Sequence, residues 1–143
     1  MMQDISLHIM DVMENSLAAG ASFIEVGLWD DGERVHVEIR DDGLGMSEEL
    51  RARATDPFFT TKRGKRVGLG LALFAQAARE SGGSLEVASR RGKGTTVHAV
   101  FVRSHPDCKP LGDVAKTMRL LRLSHPEVDI RYRPGASPGG GDS

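Results

Sequence analysis

Apolar residues recur along the chain with two different periods, which predict where helices and strands lie. Between Asp4 and Ala19 they repeat every three or four residues, which predicts an amphipathic helix that Gly20 ends. Phe23 to Trp29 has the composition of a strand, and apolar and polar residues alternate from Val35 to Ile39. The Asp31-Gly32 pair between these two segments is typical of a hairpin turn. The chain therefore begins with a helix and a hairpin.

A second helix and hairpin follow a segment without periodicity. Ser47 is placed to begin a short helix, whereas Ala54 to Val67 has no regular pattern and predicts a long loop, of the kind that is usually functional in compact domains. Gly68 to Ser81 predicts a helix, and Ser84–Ser89 and Thr95–Val102 predict two further strands. This order favours an α+β fold, in which helices cover one face of a mixed, mostly antiparallel sheet.

The composition changes after Arg103, which predicts a domain over residues 1–103 and an appended segment over 104–133. Within that segment, Asp113 to Leu123 predicts an amphipathic helix and Val128 to Tyr132 predicts a strand. Residues 134–143 are rich in Gly, Pro and Ser, so we expect them to be disordered.

The bulk composition narrows the function classes. A chain of 143 residues is about one domain, and a net charge of −1 indicates neither a nucleic-acid-binding nor a membrane-binding surface. The single cysteine, Cys108, excludes an internal disulfide and a multi-cysteine zinc site. No stretch approaches the roughly 18 apolar residues that span a bilayer, and the N-terminus does not resemble a signal peptide. We therefore expect a cytoplasmic protein.

Two segments in the first half carry residues suited to ligand chemistry. Asp11 and Asn15 lie four residues apart on the first helix and so share one of its faces. Polar residues beside an apolar stripe often only form the solvent-exposed side of a helix. Asp41-x-Gly43-x-Gly45 follows a strand, where glycines permit close backbone approach. Ordinary turn chemistry also explains such a motif.

Two further segments stand in or beside the long loop. Asp56-Pro57-Phe58-Phe59-Thr60-Thr61-Lys62 places adjacent aromatic residues in a basic loop. Gly68-Leu69-Gly70-Leu71 opens the next helix, where free N–H groups and the helix dipole favour phosphate. The spacing matches neither a P-loop nor a dinucleotide-binding motif.

Taken in order, the four segments resemble the N, G1, F and G2 boxes of the GHKL ATPases, which include gyrase, heat-shock chaperones, histidine kinases and MutL. The likeness covers roughly residues 4–103. Its first motif is Glu14-Asn15-Ser16-Leu17-Ala18-Ala19-Gly20-Ala21. It implies a Bergerat-type two-layer α/β sandwich that binds ATP with Mg²⁺, and a flexible ATP lid at about residues 46–67.

The resemblance also assigns roles to single residues. Asn15 corresponds to the Mg²⁺ ligand, since a hard cation prefers oxygen donors. Asp41 corresponds to the carboxylate that accepts from the adenine amino group, and Thr95 to a member of the same hydrogen-bond network. Phe58 or Phe59 would anchor the lid, and Lys62 or Arg66 would reach the phosphates. The residues assigned to the nucleotide are Asn15, Asp41, Gly43, Gly45, Met46, Phe58, Thr61, Lys62, Arg66, Gly68, Leu69, Gly70, Leu71 and Thr95.

Asp11 stands where the hydrolysing members carry a glutamate general base. Its side chain is one methylene shorter, so its reach to an attacking water is reduced, and geometry governs general-base efficiency. The resemblance therefore implies that Asp11 is the catalytic residue of a slow reaction.

Three functions remain open at this point. None of the five histidines has the context of a histidine-kinase phosphoacceptor, and only fourteen residues precede Asn15, so self-phosphorylation is not expected. The first possibility is a regulatory Mg-ATP-binding protein or a protein kinase that acts in trans on an unidentified protein partner. The others are a slow stand-alone ATPase and a nucleotide-binding module without catalysis.

Overall fold

The fold was analysed in a computed structural model, which describes residues 4–55 and 69–135. Helices and strands fall in the order that the periodicity predicts. The elements are α1 (Ile5–Ala18), β1 (Phe23–Asp30), β2 (Arg34–Asp41), α2 (Glu48–Arg53), α3 (Leu69–Glu80), β3 (Ser84–Arg90), β4 (Gly94–Val102), α4 (Val114–Ser124) and β5 (Asp129–Pro134).

The five strands form one mixed sheet in the order β3-β4-β2-β1-β5. The pairs β3–β4, β4–β2 and β2–β1 are antiparallel, and only β5 runs parallel to its neighbour β1. The predicted mixed, mostly antiparallel sheet is confirmed. No helix in the described residues is long and apolar enough to cross a bilayer.

Helices cover one face of this sheet, as the sequence predicts. Alternate strand residues such as Ile24, Val26 and Val37 are fully buried beneath them. The helices contribute the other half of the core, including Ile9, Met13, Phe74 and Met118. The apolar face of the sheet and the apolar faces of the helices thus pack together in one hydrophobic core. The fold is a two-layer α+β sandwich.

Helices α1 and α3 run antiparallel against each other. His8 of α1 stacks on Phe74 of α3 with ring centroids 5.4 Å apart. One turn later along α1, Asp11 lies beside Gly70 in the first turn of α3: a Cβ added at Gly70 would be 3.2 Å from that of Asp11. This packing brings the start of α3 to the part of α1 that carries Asp11 and Asn15.

The strand ends differ from the sequence-based expectation in two places. Asp41 is the last residue of β2, opposite Thr95 of β4, and is not part of the following turn. Pro134 ends β5, although the composition assigned it to a disordered tail. The chain stays paired there because Gly135 N–H donates to the Leu28 carbonyl at 2.5 Å, and a proline is tolerated at such an edge. Residues 136–143 lie outside the described residues.

Ser47 begins α2, as predicted. Its hydroxyl accepts a hydrogen bond from the N–H of Leu50 at 3.2 Å, and Glu48 and Glu49 occupy the first turn, where the helix dipole favours acidic residues. Ala54, directly after α2, is buried in the core and ties this short helix to the sheet. The rest of the predicted lid, residues 56–67, lies outside the described residues.

Candidate functional site

A small cavity lies between the C-terminal half of α1, the segment from the end of β2 through α2, and the start of α3. Its volume is about 230 Å³. Apolar side chains form most of its wall, and four polar residues open onto it. The lining residues are Val12, Asn15, Ser16, Ala18, Ala19, Asp41, Leu44, Gly45, Met46, Leu50, Ala54, Leu71, Thr95 and Val97. An apolar cavity with a few convergent polar groups is the usual form of a small-molecule site.

Larger clefts lie beside α2, over β3 and its neighbouring strands, with volumes of about 600 and 470 Å³. They are open and are lined largely by charged and polar side chains, among them Glu38, Arg51 and Glu86. The smaller cavity is the better candidate, because it is less open than these clefts, has a more apolar wall and holds the residues that the sequence singles out.

Both carboxylate oxygens of Asp41 are held by short hydrogen bonds. Oδ1 accepts from the N–H of Gly43 at 2.8 Å, and Oδ2 accepts from the hydroxyl of Ser16 at 2.6 Å. Ser16 is buried on α1, so these bonds connect the helix layer to the end of β2. Hydrogen bonds to a carboxylate are stronger than neutral ones, so Asp41 is fixed as an acceptor at the cavity wall.

Thr95, the partner of Asp41 on the neighbouring strand β4, belongs to a second polar cluster. The hydroxyl of Ser89 donates to the Gly94 carbonyl at 3.1 Å and accepts from the N–H of Met46 at 2.8 Å. The hydroxyl of Thr95 lies 2.8 Å from that of Ser89. Either hydroxyl of this pair can be the donor, and each oxygen can also accept a hydrogen bond. The cluster ties β3, β4 and the start of the lid together.

Gly45 and Gly94 are required by the approach of two backbone segments. Gly45 has a φ of +77° and Gly94 a φ of +86°, a region that side chains disfavour. A Cβ at Gly45 would overlap the carbonyl of Arg90, and one at Gly94 would overlap the carbonyl of Asp41. The β3–β4 turn therefore packs directly on the segment after β2. The glycine pattern predicted a close approach to nucleotide, and the contact present here is with the protein's own backbone.

Asp42 secures the other side of this segment. Its carboxylate accepts from the hydroxyl and N–H of Ser22 at 2.8 Å each, and from the N–H of Phe23 at 3.0 Å. The Ser22 hydroxyl, with these N–H groups, lowers the pKa of Asp42 below its ordinary value. Adjacent aspartates thus have separate tasks, since Asp42 holds the start of β1 while Asp41 faces the cavity.

Asn15 and Asp11 stand where α1 meets the first turn of α3. A Cβ added at Gly70 would lie 3.6 Å from the amide nitrogen of Asn15 and 3.2 Å from the Cβ of Asp11. Asn15 lines the cavity, whereas Asp11, about one helical turn before Asn15, is not among the lining residues. Within the described ranges, neither side chain has an intramolecular hydrogen bond. Both are therefore available to a ligand.

The structure brings together most of the predicted residues that it describes. Asn15, Asp41, Gly45, Met46, Leu71 and Thr95 line the cavity, Gly43 supports Asp41, and Leu69 and Gly70 open α3 beside Asn15. Phe58, Thr61, Lys62, Arg66 and Gly68 lie outside the described residues. No three His, Cys, Asp or Glu side chains in residues 4–55 and 69–135 converge into a metal-binding group.

Ser16 and Ser89 are site residues that the sequence reasoning missed. Each occupies a position where the local period calls for an apolar residue. Ser16 continues the buried stripe of α1 through Val12 and Met13, and Ser89 follows Leu85 and Val87 on the inward face of β3. A polar residue at an inward position needs a hydrogen-bond partner. A serine in the buried stripe of a helix or strand was therefore the sequence signal that could have identified these two residues.

Comparison with known proteins identifies the family of this chain. The family model of histidine kinase-, DNA gyrase B- and HSP90-like ATPases matches residues 3–105. Sporulation kinase E of Bacillus subtilis is 38% identical over 68 residues, which is 48% of this chain and 9% of that protein. The sensor histidine kinase ZraS of Escherichia coli is 36% identical over 73 residues, 51% of this chain and 16% of that protein. The chain thus spans a small part of the curated relatives that it matches.

A solved structure shows the same architecture. The catalytic domain of the histidine kinase ThkA superimposes with a TM-score of 0.50 at 28% identity, and the match covers 67% of each chain. The α+β sandwich, the four motifs in order and the cavity that they surround all agree with the family match. The chain belongs to the histidine kinase-, DNA gyrase B- and HSP90-like ATPases, and residues 3–105 are its ATP-binding domain.

Proposed function

We propose that this protein binds ATP with Mg²⁺ in the cavity beside Asp41 and acts as a regulatory ATP-binding protein or as a protein kinase in trans. The observation that carries the proposal is the Asp41 carboxylate, held by Ser16 and Gly43 at the wall of a largely apolar cavity. Such a fixed acceptor is ready to receive a hydrogen bond before any ligand arrives.

The base in the cavity is adenine. Its exocyclic amino group donates to Asp41, while Leu44, Met46 and Leu71 contact the faces of the ring. Guanine carries a carbonyl oxygen at the corresponding position, so it would place an acceptor against a carboxylate. An unpaired buried acceptor costs about 1–3 kcal/mol, which is enough to discriminate between the two bases.

The phosphates extend from the cavity toward Asn15 and the start of α3. A volume of about 230 Å³ is below the roughly 300–1,000 Å³ of sites that enclose a whole drug-sized ligand, so it takes the base alone. Helix α3 begins at Leu69, and the N–H groups in the first turn of a helix have no partner within it, so these groups and the helix dipole favour the phosphates. Lys62 or Arg66, Phe58, Thr61 and Gly68 remain predicted contributors from the lid.

The residues present fit a Mg²⁺ ion shared with the nucleotide. Mg²⁺ typically takes one or two protein oxygens and completes its shell with phosphate oxygens and water, so a cluster of carboxylates is unnecessary. The Asn15 amide has no hydrogen-bond partner within the described residues and provides one such oxygen. The ion would neutralise phosphate charge, and Asn15 would position it.

A protein kinase in trans or a regulator agrees with the kinases among the similar proteins. A slow ATPase is the second candidate, and Asp11 favours it. Asp11 lies beside Gly70 without a hydrogen bond in the described residues, which leaves its carboxylate free to orient a water. Its short side chain limits the rate. A nucleotide-binding module without catalysis is the remaining alternative.

Incubation of γ-labelled ATP with the purified protein and Mg²⁺ separates these activities. We expect Asn15→Ala to weaken binding of Mg-ATP but to leave binding of Mg²⁺-free ATP unchanged. Release of phosphate that is lost in Asp11→Asn, but kept in the exposed control Asp107→Asn, would establish the ATPase. Intact bound ATP would support the regulator or the kinase awaiting its substrate. Failure of the wild-type protein to bind ATP would contradict all three.

A further inference from the structure

Helix α4 has an unpartnered outer face. Its inner face buries Val114, Thr117, Met118 and Leu121 against the rest of the protein. The outer face carries Lys116, Arg119, Leu120 and Leu123, which at 3.6 residues per turn share an arc of about 100°. Leu123 is 78% exposed and Leu120 45% exposed. Leu123, the more exposed of the two, buries little surface in this fold.

The same outer face is strongly cationic. Among its eleven residues α4 carries no Asp or Glu, and neither Lys116 nor Arg119 forms an ion pair in the described part of the chain. Arg122, at the edge of this face, donates its Nε–H to the carbonyl of Ile130 at 3.0 Å. Apolar side chains flanked by unpaired cations are typical of a surface that takes an amphipathic helix of opposite charge.

We propose that the outer face of α4 docks an acidic amphipathic helix of a partner protein. Apolar residues of that helix would pack between Leu120 and Leu123, and its carboxylates would pair with Lys116 and Arg119. The face lies beyond residues 3–105, the part matched by the family model, so this surface is independent of the nucleotide site and of the function proposed for it.

Other occupants fit this face less well. If a second copy of this chain docked through the same face, Lys116 and Arg119 of one copy would face those of the other. Like charges across an interface lower the affinity. Residues 136–143 of this chain contain one acidic residue and no apolar side chain larger than proline, so they cannot supply the complementary stripe. An anionic membrane is planar and would also meet Asp113 and Glu127, the exposed carboxylates before and after α4.

NMR titration of the ¹⁵N-labelled full chain tests the proposal. The probe is a designed helical peptide of about 18 residues, with leucines at i, i+3, i+4 and i+7 and glutamates on either side. A second peptide has lysines in place of the glutamates. We expect chemical-shift changes confined to α4 with the glutamate peptide and none with the lysine peptide.

Surface variants make the test specific. Leu123→Ser should weaken binding by about tenfold, as expected for a central apolar anchor. The double variant Lys116→Glu/Arg119→Glu should no longer bind the glutamate peptide and should bind the lysine peptide instead. A matched control on α3, Leu73→Ser/Arg79→Glu, should bind as the wild type does. Unchanged circular dichroism excludes unfolding, because all these side chains are exposed or nearly so.

Four results would overturn the proposal. They are the absence of shifts on α4, equal binding of both peptides, a dimer in sedimentation that Leu123→Ser dissociates, and Leu123-dependent binding to phosphatidylglycerol vesicles without binding of the glutamate peptide. The third would assign the face to a second copy, and the fourth to a lipid surface.

Discussion

At the scale of single residues, the site depends on polar side chains that stand at apolar positions. Asn15, Asp41 and Thr95 are recognisable from motifs, and the structure brings all three to one cavity. Ser16 and Ser89 have no motif of their own, and their role depends on hydrogen bonds between segments distant in the sequence. Tertiary partners of this kind cannot be deduced from local periodicity, which only marks the position as inward.

Ser16→Ala tests whether the orientation of Asp41 matters for binding. Loss of the 2.6 Å hydrogen bond should cost about 1–2 kcal/mol of stability and lower ATP affinity roughly three- to tenfold, because Asp41 is no longer held. Ser81→Ala is the matched control, since Ser81 is a buried serine bonded to the Ala78 carbonyl, far from the cavity. It should lose similar stability and no affinity. Equal affinities in both variants would refute this role for Ser16.

His8 should make stability depend on pH. It is 4% exposed, and its Nδ1 has no hydrogen-bond partner among the described residues. Burial lowers its pKa below the ordinary value of 6.5, assisted by Lys109 and opposed by Asp11 and Asp4. A lowered histidine pKa means that the unfolded chain binds more protons. Stability is therefore complete above pH 6.5 and decreases as the pH falls below that value.

Urea denaturation between pH 7.5 and 5 measures this effect. His8→Phe retains the stacking on Phe74 without a titrating ring, so the pH dependence over this range should become shallower. His125→Gln, at a partly exposed histidine, is the control for the loss of one histidine. If the unfolding free energy of His8→Phe depends on pH as steeply as that of the wild type, His8 is not the cause of the pH dependence.

At the scale of elements, the cavity wall is built where three connections interlock. The N–H of Gly92 in the β3–β4 turn donates to the Leu44 carbonyl at 2.6 Å, and the N–H of Leu44 donates to the Ala19 carbonyl at 2.9 Å. The end of α1, the segment after β2 and the β3–β4 turn thus form one backbone unit. Periodicity predicted each flanking helix and strand but could not show that these connections touch.

Gly94→Ala should disrupt this unit far more than Gly92→Ala. Both glycines have positive φ, +86° and +82°, so an added methyl costs each about 1–2 kcal/mol of backbone strain. Only at Gly94 does the new Cβ also overlap the Asp41 carbonyl, whereas nothing lies within 4 Å at Gly92. Urea denaturation should show the larger loss of stability in Gly94→Ala. Equal losses would mean that the turn can move away from β2.

At the scale of the whole molecule, α4 and β5 complete the sheet and the core. The sequence predicted both elements but not their placement, because the parallel pairing of β5 with β1 joins residues about a hundred positions apart. Such long-range pairing leaves no local pattern. The sandwich and the order of its elements followed from periodicity and from the family motifs.

Met118→Ala tests how strongly α4 supports the domain. Met118 is 1% exposed, so its truncation should cost about 2–5 kcal/mol of unfolding free energy. Leu120→Ala, two residues along on the outer face, should cost little. Similar losses in chemical denaturation would contradict the assignment of inner and outer faces.

The central claim is that Asp41 reads an adenine base in the cavity. Calorimetric titration of ATP and GTP into the wild-type protein and Asp41→Asn tests it most directly. The asparagine can preserve the bonds to Gly43 and Ser16, so the fold should persist. We expect ATP to bind at least about tenfold more tightly than GTP, and Asp41→Asn to lose about 1.5–3 kcal/mol of ATP affinity. Equal affinity for the two nucleotides, or ATP affinity unchanged by Asp41→Asn, would contradict the account.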